Sequence, residues 1–325
     1  MMELERLVVF VPAFNEENSI AGVVKSIPRK VAGVKKVLVL VVNDGSTDGT
    51  AGVADSSGAD RIVSHKTNLG LGRAFKTGIE EALRMGADCI VTIDADGQFN
   101  AADIPKLLQP ILDGKAEMVT CSRFKDPKLV PKMPWVKKFG NGVFTAIVNS
   151  LTGKKFTDTQ CGFRAYSKEA ALRLNTFGKH TYTQEVFLNL AANGLAIEEV
   201  ALAVRGEREF GKSKVVKNIF VYGMNAMLIM LRAVRDYKPL LFFGGIGTGI
   251  FYFGFVIALA IFVRWMLTGM TSPFTSLIAV SGVIMIIGFL MLILALNADM
   301  LGRQRRVQEE ILYRLKKQEL EKAVK

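Results

Sequence analysis

The stretch Asp94-Ala95-Asp96-Gly97-Gln98 holds the residues of this chain best suited to chemistry. It directly follows the apolar run Cys89-Ile90-Val91-Thr92-Ile93, so two carboxylates and an amide oxygen emerge from the end of a predicted buried strand. Oxygen donors of this kind suit a hard divalent cation, Mg²⁺ or Mn²⁺, which commonly bridges protein carboxylates to nucleotide phosphates. Two short acidic residues at i and i+2 also make an ordinary capped turn, so the cluster needs supporting motifs before it reads as a metal site. Other segments supply them. Asn15-Glu16-Glu17-Asn18, Asn43-Asp44-Gly45-Ser46 and Asn68-Leu69-Gly70-Leu71-Gly72 each follow an apolar run and precede a helical pattern. Arg208 and Lys214 flank Gly211, and cationic donors beside a backbone that allows close approach suit a phosphate; they equally suit a basic patch at a membrane surface. Arg123, just after a strand pattern, reads as a phosphate ligand or as a surface charge.

The segments that must position these residues alternate apolar strand, polar loop and amphipathic helix, which is the pattern of an α/β domain. Strands are predicted over 7–12, 36–42, 61–64, 89–93 and 118–122. In open parallel sheets ligands bind at the carboxyl ends of the strands, and the motifs up to Gln98 all lie at such ends. Gly70-Leu71-Gly72 is not a dinucleotide fingerprint, because Phe75 stands where the third glycine belongs and the segment follows the third strand.

The chain has 325 residues, half of them hydrophobic, and the excess apolarity lies toward the C-terminus. Residues 240–263 and 277–296 contain no charge, and each stretch is long enough to cross a hydrocarbon core of roughly 30 Å. We expect a transmembrane hairpin over 239–298. No secretory signal pattern opens the sequence, and Arg232, Arg235, Lys238, Arg303, Arg305, Arg306 and Arg314 flank the apolar stretches. By the positive-inside rule the catalytic domain and both termini are expected in the cytoplasm. The net charge of +12 then fits an anionic lipid surface rather than nucleic acid. Residues 135–151 and 214–238 mix basic and apolar residues in the manner of interfacial helices, and 299–325 reads as a solvated charged tail. Cys89, Cys121 and Cys161 are expected as small core residues.

Taken together, the motifs resemble those of the family-2 inverting glycosyltransferases of the GT-A fold, in the branch of dolichol-phosphate mannose synthases and polyprenyl-phosphate glucosyltransferases. The resemblance covers about residues 7–236 together with the hairpin. It implies a Rossmann-like α/β catalytic domain over 1–213. Pro12, Asn15 and Glu17 would lie near base and ribose, with Asp44 accepting a hydrogen bond from the base and Ser46 and Lys76 also on the nucleotide. Asp96 and Gln98 would bind Mg²⁺ or Mn²⁺, and Asp94 would be shared between ribose and metal. Asp158-Thr159-Gln160-Cys161-Gly162-Phe163-Arg164 is similar to the acceptor-side segment, which implicates Asp158, Gln160 and Arg164; Arg123, Lys137 and Glu185 are further candidates there. The 208–214 segment looks like a loop closing on the donor pyrophosphate, with Arg208, Ser213 and Lys214 in contact.

The implied reaction moves a hexose from a nucleotide sugar, UDP-glucose first and GDP-mannose next, to a polyprenyl or dolichyl phosphate. The product is a lipid-phosphate-linked sugar donor, and a homo-oligomer built through the hairpins is in keeping with the branch. A phosphate monoester has a second pKa near 6, so the acceptor needs no strong base, although Asp158 is in principle able to act as one. His65 and His180 stand apart from the motifs. A processive polysaccharide synthase is an alternative, but Arg264-Trp265 lacks the preceding glutamine of the acceptor motif that such enzymes carry. A membrane-tethered nucleotide-binding module without catalysis is the other, and turnover separates it from an enzyme.

Overall fold

A continuous apolar run has no wet face and must be covered on both sides. Residues Leu4–Ala13 form such a strand, β1, and every position from Leu7 onward is buried. In the computed structural model, which describes residues 3–175, 182–206, 231–232, 234–235 and 237–324, β1 lies inside a seven-stranded sheet. The other strands are β2 (Val34–Asn43), β3 (Arg61–Ser64), β4 (Cys89–Thr92), β5 (Met118–Ser122), β6 (Arg164–Ser167) and β7 (Ile197–Ala201). Their order is β3-β2-β1-β4-β6-β5-β7. The sheet is mixed: β6 runs antiparallel to both β4 and β5. A strand running the other way begins where its neighbours end. The segment leading into β6 therefore reaches the edge at which β1, β2 and β4 finish, with Thr92 opposite Arg164.

The connecting helices are α1 (Glu17–Ser26), α2 (Thr50–Ser56), α3 (Leu71–Arg84), α4 (Ile104–Leu112), α5 (Trp135–Thr152), α6 (Lys168–Arg173) and α7 (Thr183–Ala192). Helix α3 shows why sequence spacing selects a face. Phe75, Gly78, Ile79 and Ala82 fall at three- and four-residue intervals and are all buried. Gly78 lies so close to β1 that an added Cβ would overlap the Phe10 ring. Helix α5 takes up the first amphipathic stretch. It turns Asn141, Phe144, Thr145 and Val148 inward, while Trp135 and Phe139 near its start stay exposed. The second stretch, 214–238, lies largely outside the described residues.

The chain divides into two compact units. One comprises α8 (Pro239–Thr268) and the part of α9 (Thr275–Val324) that runs to Glu310. Both helices are long and apolar enough to cross a membrane, and both extend past the charge-free limits 240–263 and 277–296. Gly247 and Gly254 on α8 face Gly288 and Ser281 on α9 at near-contact distance, which is how small residues let two apolar helices approach. Large side chains such as Phe253, Leu267 and Ile286 point outward and are exposed.

The other unit holds the sheet and takes in the chain again from Ile311. The expected solvated helix is exposed over most of 299–322 but is docked through two side chains. Tyr313 is buried and donates to Glu169 Oε2 at 2.8 Å, and its ring lies 4.0 Å below the guanidinium of Arg173. Lys316 donates to the Leu174 carbonyl at 3.1 Å and to Asn175 Oδ1 at 3.0 Å. The charges that suggested a wet helix are in part the groups that dock it. Burial lowers the Lys316 pKa from its ordinary value.

Two alanine substitutions should move stability in opposite directions. Gly22→Ala on α1, where nothing lies within 4 Å of the new methyl group, should stabilise by about 0.5–1 kcal/mol through helix propensity. At Gly78 the same change should cost about 1 kcal/mol or more, because overpacking against Phe10 exceeds that gain. Thermal unfolding of both variants in detergent checks this, and a shared direction of shift would contradict the packing described.

Candidate active site

At the carboxyl end of the sheet a cleft of about 220 Å³ is lined by Pro12, Phe14, Asp44, Asn68, Asp94 and Asp96 among others. A larger groove of about 640 Å³ runs beside it along α1 and meets the acidic motif at Gly97 and Gln98. Its walls gather none of the motif carboxylates Asp44, Asp94 and Asp96, which line the smaller cleft.

The loops after β1 and β2 are bonded to each other. Asn15 adopts a left-handed backbone, φ 53°, which asparagine tolerates better than most residues. Its N–H donates to Ser46 Oγ at 2.9 Å, and its side-chain oxygen accepts from the Thr47 N–H at 2.8 Å. Glu17 Oε2 accepts from the Gly49 N–H at 3.1 Å. Burial would raise the Asp48 pKa, but hydrogen bonds from Thr50 and from backbone N–H groups outweigh it and hold the carboxyl below its ordinary value. Asn15, Glu17 and Ser46, expected on the nucleotide, thus also clamp one loop to the other.

Asp44 is 4% exposed and lies deep in the cleft. Its Oδ1 accepts from His65 Nδ1 at 2.7 Å and from the Leu69 N–H at 3.0 Å, and its Oδ2 from the Gly70 N–H at 2.9 Å. Gly45 follows at φ 71°, where a side chain would also run into the Thr67 backbone. His65 does not stand apart, contrary to expectation: it bridges Asp44 and Thr77 Oγ1, the latter at 3.0 Å. The strand register is the reason. Asn43 pairs with Ser64 across β2 and β3, so residues 44 and 65 leave the sheet side by side. Lys76 is also corrected. It lies on α3, 3.9 Å from Glu80, and lines a groove with Lys316 and Leu320 rather than the cleft.

Asp96 is buried, and its Oδ1 accepts from the Gln98 N–H at 3.1 Å, so the capped turn is real. Gln98 donates through Nε2 to the Arg205 carbonyl at 3.1 Å, an orientation that commits the amide nitrogen and keeps Oε1 as an acceptor. Asp94 packs against Gly162, where an added Cβ would stand 2.9 Å from Oδ2. Among the described residues no group of three or more His, Cys, Asp or Glu side chains gathers as a metal cage. Two carboxylates and an amide oxygen nevertheless fit a hard cation that takes its remaining ligands from phosphate oxygens and water. Beside them Tyr182 is held well above its ordinary pKa, first by burial and then by the charge of Asp94, so its phenol stays neutral.

Asp158 is wholly buried and paired with Arg123. Its carboxylate accepts from Arg123 Nε at 2.6 Å, Arg123 Nη2 at 3.0 Å, the Arg123 N–H at 3.2 Å and the Gln160 N–H at 3.1 Å. Burial pushes the Arg123 guanidinium down, and Asp158 more than offsets this, holding it above its ordinary value. Neither residue has the open geometry expected of a base or a phosphate ligand. Arg164 is also corrected: with no exposed surface, it donates to the Thr159 and Thr183 carbonyls, each at 3.0 Å, beneath the Tyr182 and Phe187 rings. Gln160 Nε2, like Arg164 Nε, is buried with no hydrogen-bond partner among the described residues.

Glu185 is half-buried in the first turn of α7, and Lys137 is exposed near the start of α5. Arg208, Ser213, Lys214 and His180 lie outside the described residues. The three cysteines are free and buried, as expected; burial pushes Cys89 up to about 12.

A family model described as glycosyl transferase family 2 matches residues 8–174. The chain is similar, at 35% identity over 178 residues, to a UDP-N-acetylglucosamine–dolichyl-phosphate N-acetylglucosaminyltransferase of Methanococcus voltae, covering 50% of this chain and 69% of that one. It is 31% identical over 219 residues to a polyprenol monophosphomannose synthase of Mycolicibacterium smegmatis, covering 65% and 81%. Among solved structures, glucosyl-3-phosphoglycerate synthase from Mycobacterium tuberculosis in complex with Mg²⁺ and uridine diphosphate aligns with a TM-score of 0.53. It is 25% identical and covers 71% of this chain and 78% of that one.

The buried pair generates a stability prediction. Asp158→Asn keeps the shape but leaves the Arg123 charge uncompensated, and should cost about 3 kcal/mol, the lower end for breaking such a pair because 21% of the arginine side chain remains exposed. Adding Arg123→Gln should recover part of that loss. A double-mutant cycle by thermal unfolding measures both, and purely additive losses would show that the pair does not act as one unit.

Proposed function

From the premise that the chain belongs to glycosyl transferase family 2, we propose that it transfers a hexose, with inversion, from a nucleotide sugar to the phosphate of a polyprenol or dolichol. UDP-glucose is the favoured donor and GDP-mannose the next, and the product is a lipid-phosphate-linked sugar. The observation that carries this reading is the cleft itself. It is lined at one point by Asp44, a carboxylate fixed by backbone amides, and at another by the acidic pair Asp94 and Asp96. Two helices of membrane-spanning length in the same chain support a lipid acceptor, as does the dolichyl-phosphate acceptor in the name of the M. voltae relative.

In this reading Asp44, with Pro12 and Phe14, holds the base, and Asp94, Asp96 and Gln98 hold Mg²⁺ or Mn²⁺. When bound, the cation neutralises charge growing on the leaving diphosphate. Gln160 Nε2 orients the sugar or the acceptor phosphate, and Glu185 assists. Arg208, Ser213 and Lys214 close on the pyrophosphate. The neutral Tyr182 phenol and the aromatic wall behind it keep water from the reacting centre. The acceptor phosphate is its own nucleophile, because it is already largely dianionic at neutral pH. With Asp158 engaged by Arg123 and two backbone N–H groups, a protein base is not required. Trp135, Phe139 and Lys137, exposed at the start of α5, meet the headgroup layer where the lipid arrives. The sheet-bearing unit and both termini lie on the cytoplasmic side.

A product assay with UDP-glucose, GDP-mannose, a short polyprenyl phosphate and Mn²⁺ tests the reaction. Transfer should depend on metal, and Asp96→Ala should lower it about 100-fold or more while the fold persists. Its acidic limb should follow the acceptor's second ionisation, near pH 6, and move with acceptors of lower pKa. Near-normal transfer by folded Asp96→Ala would remove the metal assignment, and a limb indifferent to the acceptor would restore a protein base.

Topology has a separate check. The native cysteines are buried, so a single introduced thiol is readable. A probe at Ser272→Cys should label from outside intact cells, and one at Glu321→Cys only after permeabilisation; the reverse pattern would overturn the orientation.

A further inference from the structure

Asp44 does more than sit in the cleft, because most of its accepting capacity is already used. An ionised carboxylate has about four lone-pair positions. Three are taken by donors from the protein: His65 Nδ1 and the Leu69 N–H on Oδ1, and the Gly70 N–H on Oδ2. The His65 imidazole is fixed in turn by Thr77 Oγ1 at 3.0 Å, and 11% of its side chain is exposed. One position remains, on Oδ2, in a residue that lines the cleft.

We propose that His65 is a specificity-determining residue. By filling the second position on Asp44 Oδ1 it leaves a single acceptor for the nucleobase, which selects uracil over guanine. Uracil offers one N–H, at N3, between two carbonyl oxygens. Guanine offers two adjacent donors, N1–H and N2–H, which pair with a carboxylate through both oxygens. At this carboxylate one guanine donor would lose its partner on leaving water, and an unmade hydrogen bond on a desolvated group discriminates strongly. The inference rests on the nucleotide-sugar reading above and deepens it, since it names the groups that choose the nucleotide. His65 acts through Asp44 and is not itself placed on the substrate.

Binding of UDP and GDP to the full-length protein in detergent, with Mn²⁺ and without sugar or lipid, tests this apart from catalysis. The native protein should bind UDP about tenfold or more tightly than GDP. In His65→Ala that ratio should fall toward one, because Oδ1 regains a free position. His65→Asn, whose amide nitrogen stands close to the place of Nδ1, should restore the ratio. Equal affinities in the native protein, or a His65→Ala variant that weakens both nucleotides by the same factor, would overturn the proposal. If the alanine variant does not fold, the native ratio and the asparagine variant decide: an asparagine ratio near one overturns it. A preference for GDP alongside normal sugar transfer to lipid phosphate overturns this inference alone. Binding of neither nucleotide overturns it together with the proposed function.

Discussion

A carboxylate with no access to water has to be neutralised where it lies, and Asp158 sets that requirement for the segment that leads into β6. Taking an ion pair out of water costs several kcal/mol per ion and is offset only by good geometry with further hydrogen bonds. Arg123 meets the carboxylate through two guanidinium nitrogens and its own N–H, and Gln160 adds another N–H. Glu199 on β7 receives the Thr157 and Asp158 amides at 2.9 Å from the other side. The end of β5, the approach to β6 and the edge strand β7 are thereby joined into one floor. Gly162, four residues after Asp158, packs against Asp94 and so brings the segment leading into β6 up to the acidic pair.

Asp44 applies the same logic where some solvent access remains. Its carboxylate gathers a histidine and two loop amides, and the 68–71 segment takes its course from them. Asn15 and Ser46 hold one loop to the other through backbone donors, and the same bonds pre-organise the entrance to the cleft. Gln160 Nε2, by contrast, has no internal partner among the described residues.

Helix α9 joins two kinds of surface in one continuous element. Its first part carries the apolar residues suited to lipid, and its last turns are bonded to α6 and to the chain just after it through Tyr313 and Lys316. The groove at that contact is also lined by Phe75 and Ile79 of α3, the helix whose start follows directly on the loop that Asp44 organises. The C-terminal residues are thus part of the packing of the sheet-bearing unit.

The sequence by itself determined whatever depends on neighbours along the chain. Apolar runs ending in Asp94-Ala95-Asp96-Gly97-Gln98 or Asn43-Asp44-Gly45 mark strand ends with polar loops. Charge-free stretches mark the long apolar helices, and cysteines without a ligand spacing are core residues, since each feature follows from local periodicity and composition. What depended on register between distant strands was decided by the tertiary structure. Residues 65 and 44 become partners because β3 pairs with β2 one residue earlier. The 158–164 segment arrives at the acidic pair because β6 reverses direction, and Arg164, expected at the site from the motif that it ends, is buried because the antiparallel pairing of β6 with β4 and β5 sets it beneath α7. A hydrogen-bonding residue looks the same in sequence whether its partner is a substrate or another loop, because its availability is fixed by which groups the fold brings within about 3 Å of it.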